Sequence, residues 1–137
     1  MRKIYLATDS KARRRLFKIF GLKFKIMPSQ VKERKRLSNL SYPQLVKINA
    51  LSKAEEVAKK VQDGIIIAAD TIVVCENKIL GKPKDGKDAK KMLMLLSGKK
   101  HLIITAFTII NASLKQIIRS AMAMIRVIHT GFKPIAS

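Results

Sequence analysis

The sequence predicts an α/β domain, on three observations. Short β-branched apolar runs alternate with segments of helical period. Ser, Asp, Gly and Pro punctuate the boundaries between them. A hydrophobic content of 47% in 137 residues suffices for one core.

In chain order, Ile4 to Ala7 reads as a short buried strand, and Thr8-Asp9-Ser10 can cap a helix over about 11–20. Leu16, Ile19 and Phe20 form the apolar stripe of that helix, which Gly21 ends. A second strand spans Phe24 to Met27, and residues 29–40 are polar, basic and loop-like. Ser41 or Pro43 opens a long helix to about Lys60, with Leu45, Ile48, Leu51, Ala54 (or Glu55) and Val57-Ala58 as its stripe. Ile65 to Ala69 and Thr71 to Cys75 are strand-like around a central carboxylate, Asp70. Glu76-Asn77-Lys78 turns into Ile79-Leu80-Gly81. Asp85 or Gly86 starts a helix through Leu96, and His101 to Asn111 is the strongest strand. The strands near 3–7, 65–74 and 101–110 are expected as neighbours in one sheet.

Charge is distributed unevenly. The net charge is +20, and residues 89–137 carry eight Lys/Arg without one Asp or Glu. Such a field attracts nucleoside triphosphates, nucleic acid or anionic surfaces. The single cysteine, Cys75, excludes an internal disulfide and suits a reducing cytoplasm, the expected location. His101 and His129 share no metal-ligand spacing with Cys75, which argues against a zinc site. The uncharged stretch from His101 to Leu114 is too short to span a bilayer.

Several residues carry chemistry. Burying Asp70 inside IIIAADTIVV is costly unless it is paired, binds a metal or faces a cleft. An aspartate capping a turn is the equal alternative, and spacing leaves both open. Lys82, between Gly81 and Pro83, is a plausible phosphate ligand or an ordinary exposed lysine. Thr8 to Arg15 places small polar residues and three arginines at a helix start, where backbone amides favour phosphate.

Taken together these pieces resemble the Maf (septum-formation-protein-like) family. LATDSKARRRLF (Leu6–Phe17) is similar to its Leu-Ala-Ser-x-Ser-Pro-Arg-Arg signature, and Gly21 to Phe24 to its Gly-x-x-Phe. Lys53-Ala54, AADTIVV (Ala68–Val74), ILGKPKD (Ile79–Asp85) and AKKMLMLLSGKKH (Ala89–His101) follow in register. The resemblance implies an elongated mixed sheet with flanking helices, of the inosine-triphosphate-pyrophosphatase type, with two lobes and a cleft. It implies a nucleoside triphosphate pyrophosphatase, a hydrolase cleaving a (d)NTP between the α- and β-phosphates. Asp70 would be proton acceptor, with a divalent cation (Mg²⁺ or Mn²⁺) at Glu33 and Asp70. Ser10, Arg13, Lys53, Lys82 and Thr71 would bind substrate. Asp70-Thr71 resembles the dTTP/UTP subgroup, and Ala12 stands where the family carries a specificity arginine, unless Arg14 substitutes.

The family's later Asp-Lys-Ala-Gly and Gly-Leu-Pro blocks are not found. The expectation is therefore one Maf-like domain over 1–137 that is truncated or degenerate, with an incomplete second lobe. Its family match would cover about 4–110, leaving 111–137 an unmatched tail that exposes a sheet edge or apolar surface. A homodimer and non-specific nucleic-acid binding are the accompanying partner expectations. The alternatives are a catalytically impaired nucleotide- or nucleic-acid-binding protein, and a membrane-surface protein using 113–128 as a weak basic amphipathic helix.

Overall fold

The computed structural model describes residues 3–8, 10–31, 39–81 and 84–128. The order is β1 (Ile4–Leu6), α1 (Lys11–Ile19), β2 (Lys25–Ile26), α2 (Tyr42–Lys60), β3 (Ile65–Cys75), β4 (Lys78–Leu80), α3 (Gly86–Leu96), β5 (Lys100–Asn111) and β6 (Gln116–Ile128). The strands form a mixed six-stranded sheet ordered β2-β1-β3-β5-β6, with β4 pairing β3. β1, β3 and β5 are thus neighbours, as the sequence predicts.

The described residues fall into two compact units. The first comprises residues up to Asp70 together with Thr105–Met122. Here β1 runs parallel to both β2 and β3, with Leu6 opposite Ile26 and Ile67. Parallel pairing needs a crossover, which α2 supplies between β1 and β3. Ser41 caps α2 through a reciprocal box: its hydroxyl accepts from Gln44 N at 3.2 Å, and Gln44 Oε1 accepts from Ser41 N at 2.9 Å. The buried face of α2 is Leu45, Val46, Asn49, Ala50, Ala54, Val57 and Ala58. The expected stripe is therefore rotated: Ile48 and Leu51 are only half-buried, and Asn49 lies inside the apolar face. Ala54, Val57 and Ala58 of this face share one core cluster with Tyr5, Ala7, Ile66, Ala68, Ile110 and Ala112. Small alanines on both sides allow helix and sheet to approach closely.

The far end of α2 is closed by a residue from the β5–β6 connection. Lys115 Nζ donates to the carbonyls of Ala58 and, at 3.1 Å, Val61. A cation here satisfies orphaned carbonyls and opposes the helix dipole.

Glu56, also on α2, holds the segment after β2. Its carboxylate accepts from Gln30 N at 2.7 Å, Ser29 Oγ at 3.2 Å and Lys60 Nζ at 3.1 Å. The Gln30 N–H above all, aided by Lys60 and Ser29, outweighs desolvation and holds this carboxyl below the ordinary 4.5. A depressed folded value stabilises the fold above pH 4.5, and that contribution is lost as pH falls through the folded value. Glu56→Gln is therefore expected to melt lower than wild type at neutral pH, with the gap closing on the acid side. Parallel melting curves across that window would show that Glu56 contributes no such linkage.

The second unit contains Thr71–Ile104 and the strand residues from Ala123. β3 and β4 form a hairpin with Cys75 opposite Lys78. Glu76 and Asn77 have φ of 52° and 61°, as a two-residue twisted turn demands. The Cys75 thiol is buried and donates to Lys100 O at 3.9 Å. Asp85 caps α3, accepting from Asp88 N at 2.8 Å.

Two expectations need correction. Residues 116–128 are a strand and not an amphipathic helix, so the membrane-surface reading loses its element. The four-residue connection from β5 leaves no room for a parallel crossover, so the sheet order makes β5–β6 a hairpin. The α1 stripe forms but is not covered: Ile19 and Phe20 are 72% and 76% exposed, and Leu16 is exposed as well. Leu114, Ile117, Ile118, Met124 and Ile125 are exposed too, and β6 is the outer strand. Among the described residues nothing pairs the outer side of β6. These exposed apolar side chains lie in the region beyond about residue 112 where the sequence predicts an open edge or apolar surface.

Candidate functional site

The carboxyl end of β1 adjoins the middle of β3. Ala7 N donates to Ile67 O at 2.9 Å, which brings Thr8, just past the first strand, toward Ala69-Asp70. Ligands of parallel α/β sheets bind outside such strand ends. Here α1 also begins. Thr8 Oγ1 accepts from Ser10 N at 3.1 Å, and Ser10 Oγ accepts from Arg13 N at 3.4 Å as the helix cap. The cap fixes the first turn and with it Arg13.

Arg13 Nη1 reaches Ala69 O at 3.4 Å and Thr8 Oγ1 at 3.5 Å. Lys53 Nζ donates to the same Ala69 oxygen at 3.4 Å and lies 3.5 Å from Asp70 Oδ1. Two cations from different helices therefore meet on one peptide oxygen beside one carboxylate. Asp70 is buried, at 4% exposure, and its Oδ2 accepts from Asn49 Nδ2 at 3.2 Å. A buried carboxylate with a cation and a neutral donor is compensated, which explains how the apolar strand tolerates it.

Asn49 and Lys53 are one helical turn apart, so α2 presents both on one face. Their neighbours on that face are apolar. Asn49 is 4% exposed and escaped the sequence reading. Its signal is its position, four residues before Lys53 within a stripe of buried residues.

The other expected site residues are distributed as follows. Thr71 is exposed, and strand alternation puts it on the opposite face of β3 from Asp70. Ala12 lies exposed in the first turn of α1, and Arg14 is half-buried one residue beyond Arg13. Glu33 and Lys82 lie outside the described residues. Among the described residues no group of three His, Cys, Asp or Glu side chains could hold a metal. No helix there is long and apolar enough to cross a membrane.

Comparison with known proteins agrees with this architecture. The chain is 47% identical over 113 residues to a dTTP/UTP pyrophosphatase of Ruminiclostridium cellulolyticum, covering 81% of this chain and 58% of that protein. It is 42% identical over 114 residues to a dTTP/UTP pyrophosphatase of Carboxydothermus hydrogenoformans, covering 83% and 60%. The chain thus spans about three fifths of the length of these curated relatives. Among solved structures, a HAM1 protein from Coxiella burnetii superposes with a TM-score of 0.59 at 16% identity, covering 92% of this chain and 72% of that one. A nucleoside-triphosphatase (dITP/XTP pyrophosphatase) from Mycobacterium abscessus does so at 0.52 and 16%, covering 90% and 72%. These two share the fold. The Maf-like protein family model matches residues 3–135 and so runs through β6, past the span of about 4–110 over which the sequence resemblance is expected to hold. With that match and these relatives, the chain belongs to the Maf-like protein family.

Proposed function

We propose that this chain is a nucleoside triphosphate pyrophosphatase, hydrolysing a (d)NTP of the dTTP/UTP type to the monophosphate and pyrophosphate. The observation that carries the reading is the buried Asp70 carboxylate with Lys53 at 3.5 Å and Arg13 on the adjoining peptide oxygen. The relatives named dTTP/UTP pyrophosphatase support the substrate class.

Asp70 accepts a proton from the attacking water as the water oxygen bonds to the α-phosphorus. The bond from that phosphorus to the α–β bridging oxygen breaks, and pyrophosphate leaves. Arg13 and Lys53 oppose charge on the phosphate oxygens, Arg13 with a fork and Lys53 as a point charge. Ser10 and the first amides of α1 offer further donors to a phosphate. Lys82 completes the substrate contacts in this reading, with Ala12 widening the specificity position, while Thr71, expected as a substrate contact, faces away from Asp70 on β3 and takes no part at that carboxylate.

A divalent cation, Mg²⁺ or Mn²⁺, belongs to this reading on chemical grounds, since such ions are held by one or two carboxylates plus substrate phosphates. Asp70, with Glu33, would hold it, and it would neutralise phosphate charge when bound. The nucleotide pool and the unpaired Cys75 support a cytoplasmic reaction within a single Maf-like domain. The +20 charge supports salt-sensitive, non-specific nucleic-acid binding, and the exposed apolar residues of β6 support a homodimer.

The test is pyrophosphate release from dTTP, UTP and 7-methyl-GTP with Mg²⁺ or Mn²⁺. The expected outcome is turnover of dTTP and UTP above 7-methyl-GTP. Nucleotide binding without any release would instead select the catalytically impaired binding protein.

A further inference from the structure

We infer that Asn49 is a positioning residue of this site, one that holds Oδ2 of Asp70 and so sets the plane in which the carboxylate meets Lys53. The inference rests on Asp70 being the proton acceptor.

A carboxylate only accepts hydrogen bonds, so the Asn49 atom facing it is the Nδ2 donor. At 3.2 Å from Oδ2, with both side chains buried, this contact ties one carboxylate oxygen to α2. The other oxygen, Oδ1, is turned to Lys53 Nζ at 3.5 Å, the side from which phosphate-binding cations reach Ala69 O. The two oxygens are thereby made unequal: Oδ2 is anchored and Oδ1 faces the cations. A carboxyl group rotates readily about its last bond when nothing holds it. Two donors one helical turn apart remove that freedom and set the plane of the group before substrate arrives.

The alternative is that Asn49 merely fills space. Its neighbours on the buried face of α2 are Leu45, Val46, Ala50, Ala54, Val57 and Ala58. Among them a leucine of similar volume would pack at least as well and carry no polar group to satisfy. The amide therefore answers to the carboxylate and not to the core.

Asn49→Leu keeps the volume and removes the donor, while Asn49→Ser keeps a shorter donor. With the full chain and dTTP as substrate, Asn49→Leu is expected to lower kcat by about 10- to 100-fold, the scale of a hydrogen bond to a charged group. KM should change little, because the cations are untouched, and Asn49→Ser should recover part of the rate. Loss confined to KM, or full kcat in Asn49→Leu with normal melting, would overturn the assignment. A second readout does not need turnover. The Asn49 side-chain amide resonances should shift on Asp70→Ala, and unchanged resonances would refute the contact. If wild type releases no pyrophosphate, the pyrophosphatase reading fails, and the resonance test still decides whether Asn49 holds Asp70.

Discussion

Asp70→Asn is expected to reduce pyrophosphate release by on the order of 10²- to 10⁴-fold while leaving triphosphate affinity nearly intact. The exchange preserves shape and volume, so packing against α2 survives. It removes the group that takes the proton from water and substitutes an amide, which has no useful basicity. Affinity depends on Arg13 and Lys53, which remain, and removal of one negative charge beside the phosphates can raise it. Lys53→Ala is the contrasting case. It strips a cation from both Asp70 Oδ1 and the phosphate side, so weaker binding accompanies the lost rate. Nucleotide affinity by calorimetry and pyrophosphate release, measured on both variants, separate the roles. Near-normal turnover in Asp70→Asn would make Asp70 a structural aspartate and end the proposed mechanism.

The second large effect concerns Gly64, at the start of β3. Its φ is +113°, a conformation that side chains rarely adopt. A Cβ there would lie 2.7 Å from Lys3 O and 2.9 Å from the Tyr5 ring. Lys3 O cannot retreat, because it accepts from Ile65 N at 2.8 Å in the β1–β3 pairing. Gly64 O in turn accepts from Ala112 N at 2.9 Å, so displacement would spread to the end of β5. Gly64→Ala combines backbone strain with overpacking, each worth about 1–3 kcal/mol, for a total of about 2–6 kcal/mol. At about 4 °C per kcal/mol, between the values for smaller and larger domains, the melting temperature should fall by roughly 8–24 °C. A variant melting within two or three degrees of wild type (about 1 kcal/mol or less on that scale) would mean the strand start can relax.

Most elements were legible because their boundary chemistry is local. Ser41 with Gln44 marks the start of α2, and Asp85 marks the start of α3. The β3–β4 hairpin announces itself through Asn77 and the flanking β-branched run. The strand β6 was not legible for a physical reason. In QIIRSAMAMIRVI apolar residues fall on both parities, so no period of two emerges, and Arg119 and Arg126 stand seven apart as on a helix. Pairing with β5 decides its conformation, which only the tertiary fold supplies. The α1 stripe was read correctly as a pattern, but periodicity says which face is apolar and not whether anything covers it. At the site, Asp70, Lys53 and Arg13 were visible as residue types in motifs. Asn49 was not, since stripe counting passes over polar residues.

The oxygen on which Arg13 and Lys53 meet belongs to the backbone of Ala69. Any amino acid at position 69 would present the same carbonyl, so this shared acceptor leaves no trace in the identity of the residue. A side-chain scan would score position 69 by its packing alone and treat the two cations as separate. They are linked through one peptide unit, and their single-substitution effects should not simply add. The meeting point is therefore inherited from the path of β3. Drift in the side chain at position 69 cannot erase it, but a change that bends the strand there can.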